Sequence, residues 1–106
     1  MPTGLLGQAA LAAATNTTVY TVPVATFSVF SVSVCNRGTT TATIRMAIAS
    51  AATPTNAEWI EYDTQLSANG VLERTGLMAN AGRLLVVFAN NANVSVSAFG
   101  IETSTT

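Results

Sequence analysis

Phe30-Ser31-Val32-Ser33-Val34 and, a short way on, Ile44-Arg45-Met46-Ala47-Ile48 decide the fold class. In both stretches apolar side chains recur at every second position with Ser, Arg or Ala between them. A period of two lays the apolar set on one face of a half-buried β-strand. Between the two lies Asn36-Arg37-Gly38-Thr39-Thr40, where Asn and Gly tolerate positive φ, so the spacing predicts an antiparallel hairpin.

Working outward, Thr17-Thr18-Val19-Tyr20-Thr21-Val22 is β-branched and stops at Pro23, which cannot donate to a ladder. Phe27 and Val29 are out of phase with Phe30, Val32 and Val34, so either the turn after Pro23 runs on to about residue 27, the preferred reading, or a bulge shifts the register. Ala49 to Asn56 is a small-residue connection with Pro54, where the chain is expected to cross between sheets. Trp59-Ile60-Glu61-Tyr62-Asp63 is expected to pair with Val71-Leu72-Glu73-Arg74-Thr75 across the turn residues Ser67 to Gly70, and Leu84 to Phe88 and Val94 to Ile101 flank Asn90-Asn91. Gly70, Gly76 and Gly82 read as turn or bulge glycines, because none of them sits in a phosphate-binding pattern.

Many short strands with polar turns and no helical period predict an all-β fold, an antiparallel β-sandwich, Ig-like or jelly-roll-like, of seven or eight strands. At 106 residues there is room for one such domain, placed at residues 16–106. Residues 1–15, Ala-rich and the one helix-tolerant stretch, are expected as an extended N-terminal arm; with no Lys or Arg before the apolar run, they are read as mature protein rather than a signal peptide. The expected inward set is Val19, Val22, Phe30, Val32, Val34, Ile44, Met46, Ile48, Ile60, Leu72, Leu84, Val86, Phe88, Val94, Val96 and Phe99.

Composition narrows function. Only 8% of residues are charged and the net charge is -1, so self-repulsion is weak and association is favoured; a homo-oligomer is expected, with a trimer one of the closed forms allowed. The basic residues are Arg37, Arg45, Arg74 and Arg83, with no Lys, which is no stripe for phosphates or anionic lipid; neither nucleic acid nor membrane is an expected partner. No apolar run approaches the roughly 18 residues of a membrane span. The single Cys35 reads as a small strand hydrophobe.

Histidine is absent, which rules out Ser-His-Asp and Cys-His nucleophiles and the usual His-bearing zinc sites. Glu61 and Asp63, two apart on a strand, form a carboxylate pair of the kind a glycosidase uses, but the ordinary reading is a solvated face meeting Arg45 or Arg74 across strands. No enzyme activity and no cofactor or metal is therefore expected. If Ile60 points inward, Trp59, Glu61 and Asp63 point outward as one strip, a candidate contact surface with Tyr62; Leu5, Leu6 and Gln8 of the arm are the other candidates.

Leu6-Gly7-Gln8-Ala9, Val19-Tyr20-Thr21-Val22-Pro23, Val34-Cys35-Asn36-Arg37-Gly38, Trp59-Ile60-Glu61-Tyr62-Asp63 and Ala92-Asn93-Val94-Ser95 with Phe99-Gly100 stand in an order that resembles a family of small tailed-bacteriophage virion proteins. The chain departs from that pattern at Pro23-Val24-Ala25-Thr26, where a Pro-Ala-Gly-like turn is more usual. The resemblance implies a β-sandwich module in the virion, in contact with the major capsid protein or with neck or tail proteins, and carries no catalytic residues. The first expectation is a capsid decoration or cement protein; the alternative is a neck, baseplate or tail-fibre accessory domain that attaches fibres or contacts host surface glycans. In the first case the arm would add to a neighbour's sheet edge, and removing residues 1–14 would abolish attachment.

Overall fold

The computed structural model describes residues 3–105. Eight strands follow in order: β1 (Thr3–Ala10), β2 (Thr17–Thr21), β3 (Thr26–Asn36), β4 (Ala42–Ala49), β5 (Trp59–Leu66), β6 (Val71–Ala79), β7 (Leu84–Ala89) and β8 (Val94–Ser104). They form two four-stranded sheets, sheet A in the order β1-β8-β3-β6 and sheet B in the order β2-β7-β4-β5. All pairings are antiparallel. The expected all-β sandwich is thus the fold.

The pairs β1·β8, β2·β7, β3·β6 and β4·β5 are the rungs of one long hairpin whose tip is the 50–58 connection. Rolling that hairpin up adds β3·β8 and β4·β7 and divides it between two sheets. Eight antiparallel strands arranged in this way are a jelly roll.

This topology corrects three expected pairings. β3 and β4 lie in different sheets and so do not form a hairpin; the same holds for β5 with β6 and for β7 with β8. The period of two reports which face of a strand is buried and not which strand lies beside it, so two strands facing each other across the core read like two lying side by side. The expected crossing at residues 49–56 is reversed as well: β4 and β5 are neighbours in sheet B, and theirs is the one link between successive strands that stays within a sheet.

The short crossings are held at one end by Asn36, which is fully buried. Its Nδ2 donates to the carbonyls of Thr40 at 2.8 Å, Leu66 at 3.1 Å and Ser67 at 3.3 Å, and its Oδ1 accepts from the Gly38 N–H at 2.9 Å. The neighbouring Arg37 N–H reaches the Asn93 carbonyl at 2.7 Å. One side chain and its neighbour's backbone therefore tie together the connections after β3, β5 and β7.

The segment expected as an extended arm is β1, paired with β8 from Thr3↔Ile101 to Ala10↔Ser95. Its fit depends on Gly7: a Cβ there would lie 2.2 Å from the Val19 carbonyl oxygen, so only glycine lets β1 settle against β2. β3 starts at Thr26, so the turn does not extend to residue 27. The strand keeps its phase because Thr26 and Ser28 take the inward positions, each with a hydroxyl hydrogen bond to a carbonyl, of Val24 and Ile101 respectively. Gly76, at φ +71°, marks the bulge in β6 where the register against β3 shifts.

The core between the sheets holds Val22, Phe30, Val32, Val34, Ile44, Met46, Leu85, Val87, Val94, Val96 and Ala98, with Ile48, Ile60 and Leu72 packed at its margin. Four expected core residues lie elsewhere. In the unbroken apolar run of β7 it is Leu85, Val87 and Ala89 that face inward, while Val86 and Leu84 join Ala47, Ala49 and Trp59 in a second cluster on the far side of sheet B. Phe88 faces the Arg45 guanidinium there, and Phe99 is 40% exposed on sheet A.

Candidate functional site

Four of the five carboxyl groups are bound up in holding the sandwich together. Glu58 accepts from the backbone N–H groups of Thr55 at 2.9 Å and Ser50 at 3.0 Å and from Arg83 at 3.2 Å, which closes the 50–58 connection on itself. The Thr55 and Ser50 donors hold its carboxyl below the usual carboxylate range. Glu61 accepts from the Thr64 hydroxyl at 2.6 Å and from Arg74, and both donors lower its pKa. Arg74 also donates to the Ile60 carbonyl at 3.3 Å, so this ion pair bridges the open edge between β5 and β6. Glu102, buried in β8, binds the Tyr20 hydroxyl, whose pKa is pushed up to about 12 by burial and then by that carboxyl. Asp63 pairs with Arg45 at 2.6 Å. Glu61 and Asp63 are consequently separated in role and direction, and the expected outward strip is corrected: two register shifts between β4 and β5 turn Glu61 toward Met46 and the interior edge, while Asp63, at φ +53°, meets Arg45 outside. Among the described residues no group of three or more His, Cys, Asp or Glu lies together as a metal site requires.

Two outer faces remain, and they differ in chemistry. On sheet B, Trp59 and Tyr62 meet edge to face at 5.5 Å, and the Arg45 guanidinium lies 4.2 Å from the Tyr62 ring centre and 5.1 Å from that of Phe88. Trp59 packs over Ala47, Ala49 and Val86, so it covers a small apolar cluster, whereas Tyr62 is exposed.

The outer face of sheet A follows from the register. One rung across the strands is Leu5-Phe99-Ser31; the next is Ile101-Val29-Met78; on the other side lie Gln8-Ser97-Ser33-Glu73 and Ala10-Ser95-Cys35-Val71. Leu5, Val29, Val71, Met78, Phe99 and Ile101 make up six of the eight large hydrophobic side chains exposed among the described residues. Glu73 is the one charge these rungs contain. A hollow of about 260 Å³ beside Met78, lined also by Phe27, Ala79 and Asn80, extends the apolar end.

Comparisons with protein-family models, curated proteins and solved structures find no match. Function therefore rests on these faces. Of the candidates read from sequence, Leu5 lies on the sheet A face with Gln8, which donates to the Ser97 hydroxyl at 3.2 Å, while Leu6 packs against the core. Trp59, Tyr62 and Asp63 lie on the sheet B face and Glu61 at the sandwich edge. Val29, Met78, Phe99 and Ile101 were not among those candidates. Their signal was present: counting by two from Val94 and Val96 places Ala98 and Gly100 inside and Phe99 and Ile101 outside.

Proposed function

We propose that the chain is a non-enzymatic structural protein of a tailed-phage virion, a capsid decoration or cement protein that stabilises the shell through protein-protein contacts. The observation that carries this reading is the sheet A face, a nearly uncharged surface with six exposed apolar side chains on a closed, short-looped sandwich. Exposed apolar area concentrated on one face marks a protein contact more often than a catalytic cleft. The absence of histidine and the structural use of Glu58, Glu61, Asp63 and Glu102 leave little for acid-base chemistry. The jelly roll is shared by capsid and lectin domains, a fold-level analogy that agrees with this reading without deciding it.

A second reading, a neck, baseplate or tail-fibre accessory domain in contact with host glycans, is favoured by exposed Tyr62 beside Arg45 and Asp63, since sugars are gripped by aromatic faces and planar charged groups. The stoichiometry of the chain in purified particles separates the two. A ratio near one to the major shell protein is expected. A ratio of a few per cent would move the protein to the neck or tail, and its absence from particles would overturn both readings.

A further inference from the structure

We infer that two copies of this chain pack against each other through the outer faces of sheet A. This inference stands whether or not the protein belongs to a virion.

Size is the first ground. Four strands about 4.8 Å apart, 8 to 11 residues long at about 3.3 Å per residue, outline a plate of roughly 600 Å² before side-chain relief is added. Specific stable interfaces cover about 600 to 1,000 Å² per partner, so this one face reaches the lower end of the range that holds a dimer. Its apolar part is continuous: Leu5 stands opposite Phe99, and Ile101 opposite Val29, which stands opposite Met78. Leu5 and Ile101 are each 57% exposed and Met78 66%, so most of their surface is still to be buried.

Charge is the second ground and selects the occupant. A twofold contact places the same surface on both sides, so any charge on it meets a like environment. Here the rungs contain Glu73 alone, one rung away from the apolar centre and at the β6 edge. A twofold axis lying along the apolar rungs carries the two Glu73 carboxylates to opposite sides of the interface. Of the other charged side chains, two stand on strands of this sheet but are turned away from its outer face, Arg74 of β6 to Glu61 and the Ile60 carbonyl and Glu102 of β8 to the buried Tyr20 hydroxyl, and the rest lie on β4, β5 and the connections. A face without charge offers no complementarity to a charged partner and no repulsion to its own copy. Between the apolar rungs and Val71 lie Ser33, Ser95 and Ser97, small side chains that let two sheets approach at the usual spacing of about 10 Å.

The test uses the purified full chain. Sedimentation equilibrium from 1 to 100 μM is expected to give twice the chain mass, and the double variant Val29→Asp, Ile101→Asp is expected to weaken association at least about 100-fold, as the loss of buried apolar surface at tenfold per 1.4 kcal/mol implies. Both side chains are exposed, so the far-UV spectrum of that variant should be unchanged; Tyr62→Ser, on sheet B, should leave association unaffected. Cys35 provides an independent readout, since it lies on the same face and is the one thiol. Its rate of reaction with a maleimide should fall as protein concentration rises through the dimerisation range. A chain that stays monomeric at 100 μM overturns the inference, whether or not it binds another protein. So does a dimer whose Cys35 reactivity is independent of concentration, which would place the contact on another surface.

Discussion

Asn36 is the residue on which the most connections depend. Replacing it with Ala leaves the buried carbonyl of Leu66 and the carbonyls of Thr40 and Ser67 without their donor, and each buried polar group so stranded costs about 1–3 kcal/mol. Asn36→Ala is therefore expected to lower stability by at least about 2 kcal/mol in urea melts, and Asn36→Asp by no less, since a carboxylate cannot donate to those carbonyls. Tyr20→Phe strands the buried Glu102 carboxyl and is expected to cost about 1–3 kcal/mol in the same measurement. The ionisable groups also set the pH profile. Glu58 and Glu61 hold protons less readily folded than unfolded, so their contribution is present above about pH 4.3 and is lost as pH falls through the lower folded values. Tyr20 acts in the opposite sense: with its pKa at about 12, its contribution is complete below about pH 10 and disappears as pH rises toward 12. With no histidine in the chain, stability should be level from pH 6 to 8. A slope there in pH-dependent urea melts would contradict this account.

At the scale of elements, β1 changes what a truncation would mean. Because it pairs with β8 along its length and packs on β2 at Gly7, removing residues 1–14 takes away an edge strand of the sandwich as well as any contact surface. Such a truncation should lower the melting temperature by more than about 8 °C, at about 4–8 °C per kcal/mol for a domain of this size. Leu5→Asp, by contrast, should leave the melting of the dilute, dissociated chain nearly unchanged, because within one copy Leu5 is already half in solvent. Strands were legible in the sequence wherever apolar and small polar residues alternate, as in β3 from Phe30 and in β4 to Met46. They were less legible in two settings. In β7 six successive apolar residues erase the alternation, and both faces are indeed covered, one by the core and one by Trp59. In β5 two register shifts break it, and so the direction of Glu61 could not follow from Ile60 by counting.

For the whole molecule, partner choice was the part beyond the reach of local pattern. The turn residues at 36–40, 67–70 and 90–93 suit a tight reversal, and a tight reversal serves equally to bring a chain back beside itself or to lift it to the facing sheet. What separates the outcomes is the buried amide of Asn36 and the joint closure of three connections, a property of distant segments taken together. The contrast between the two outer faces was equally hidden, since it needs the register across four strands rather than the order along one.

The rolled hairpin also dictates an order of events in time. β1 emerges from the ribosome first, yet its only partner in the sheet, β8, is made last: Ala10 lies opposite Ser95, and at about 5–20 residues per second the wait is roughly 4–17 s. Pairings that span the chain make folding slow, because loop-closure entropy is spent before the contacts return it. During that interval the nascent chain carries Leu5 and Leu6 without a sheet to join, in a segment where Gly4, Gly7, Ala9 and Ala10 keep its own strand-forming tendency low. Of the eight strands, the one translated earliest is the one that completes the sandwich.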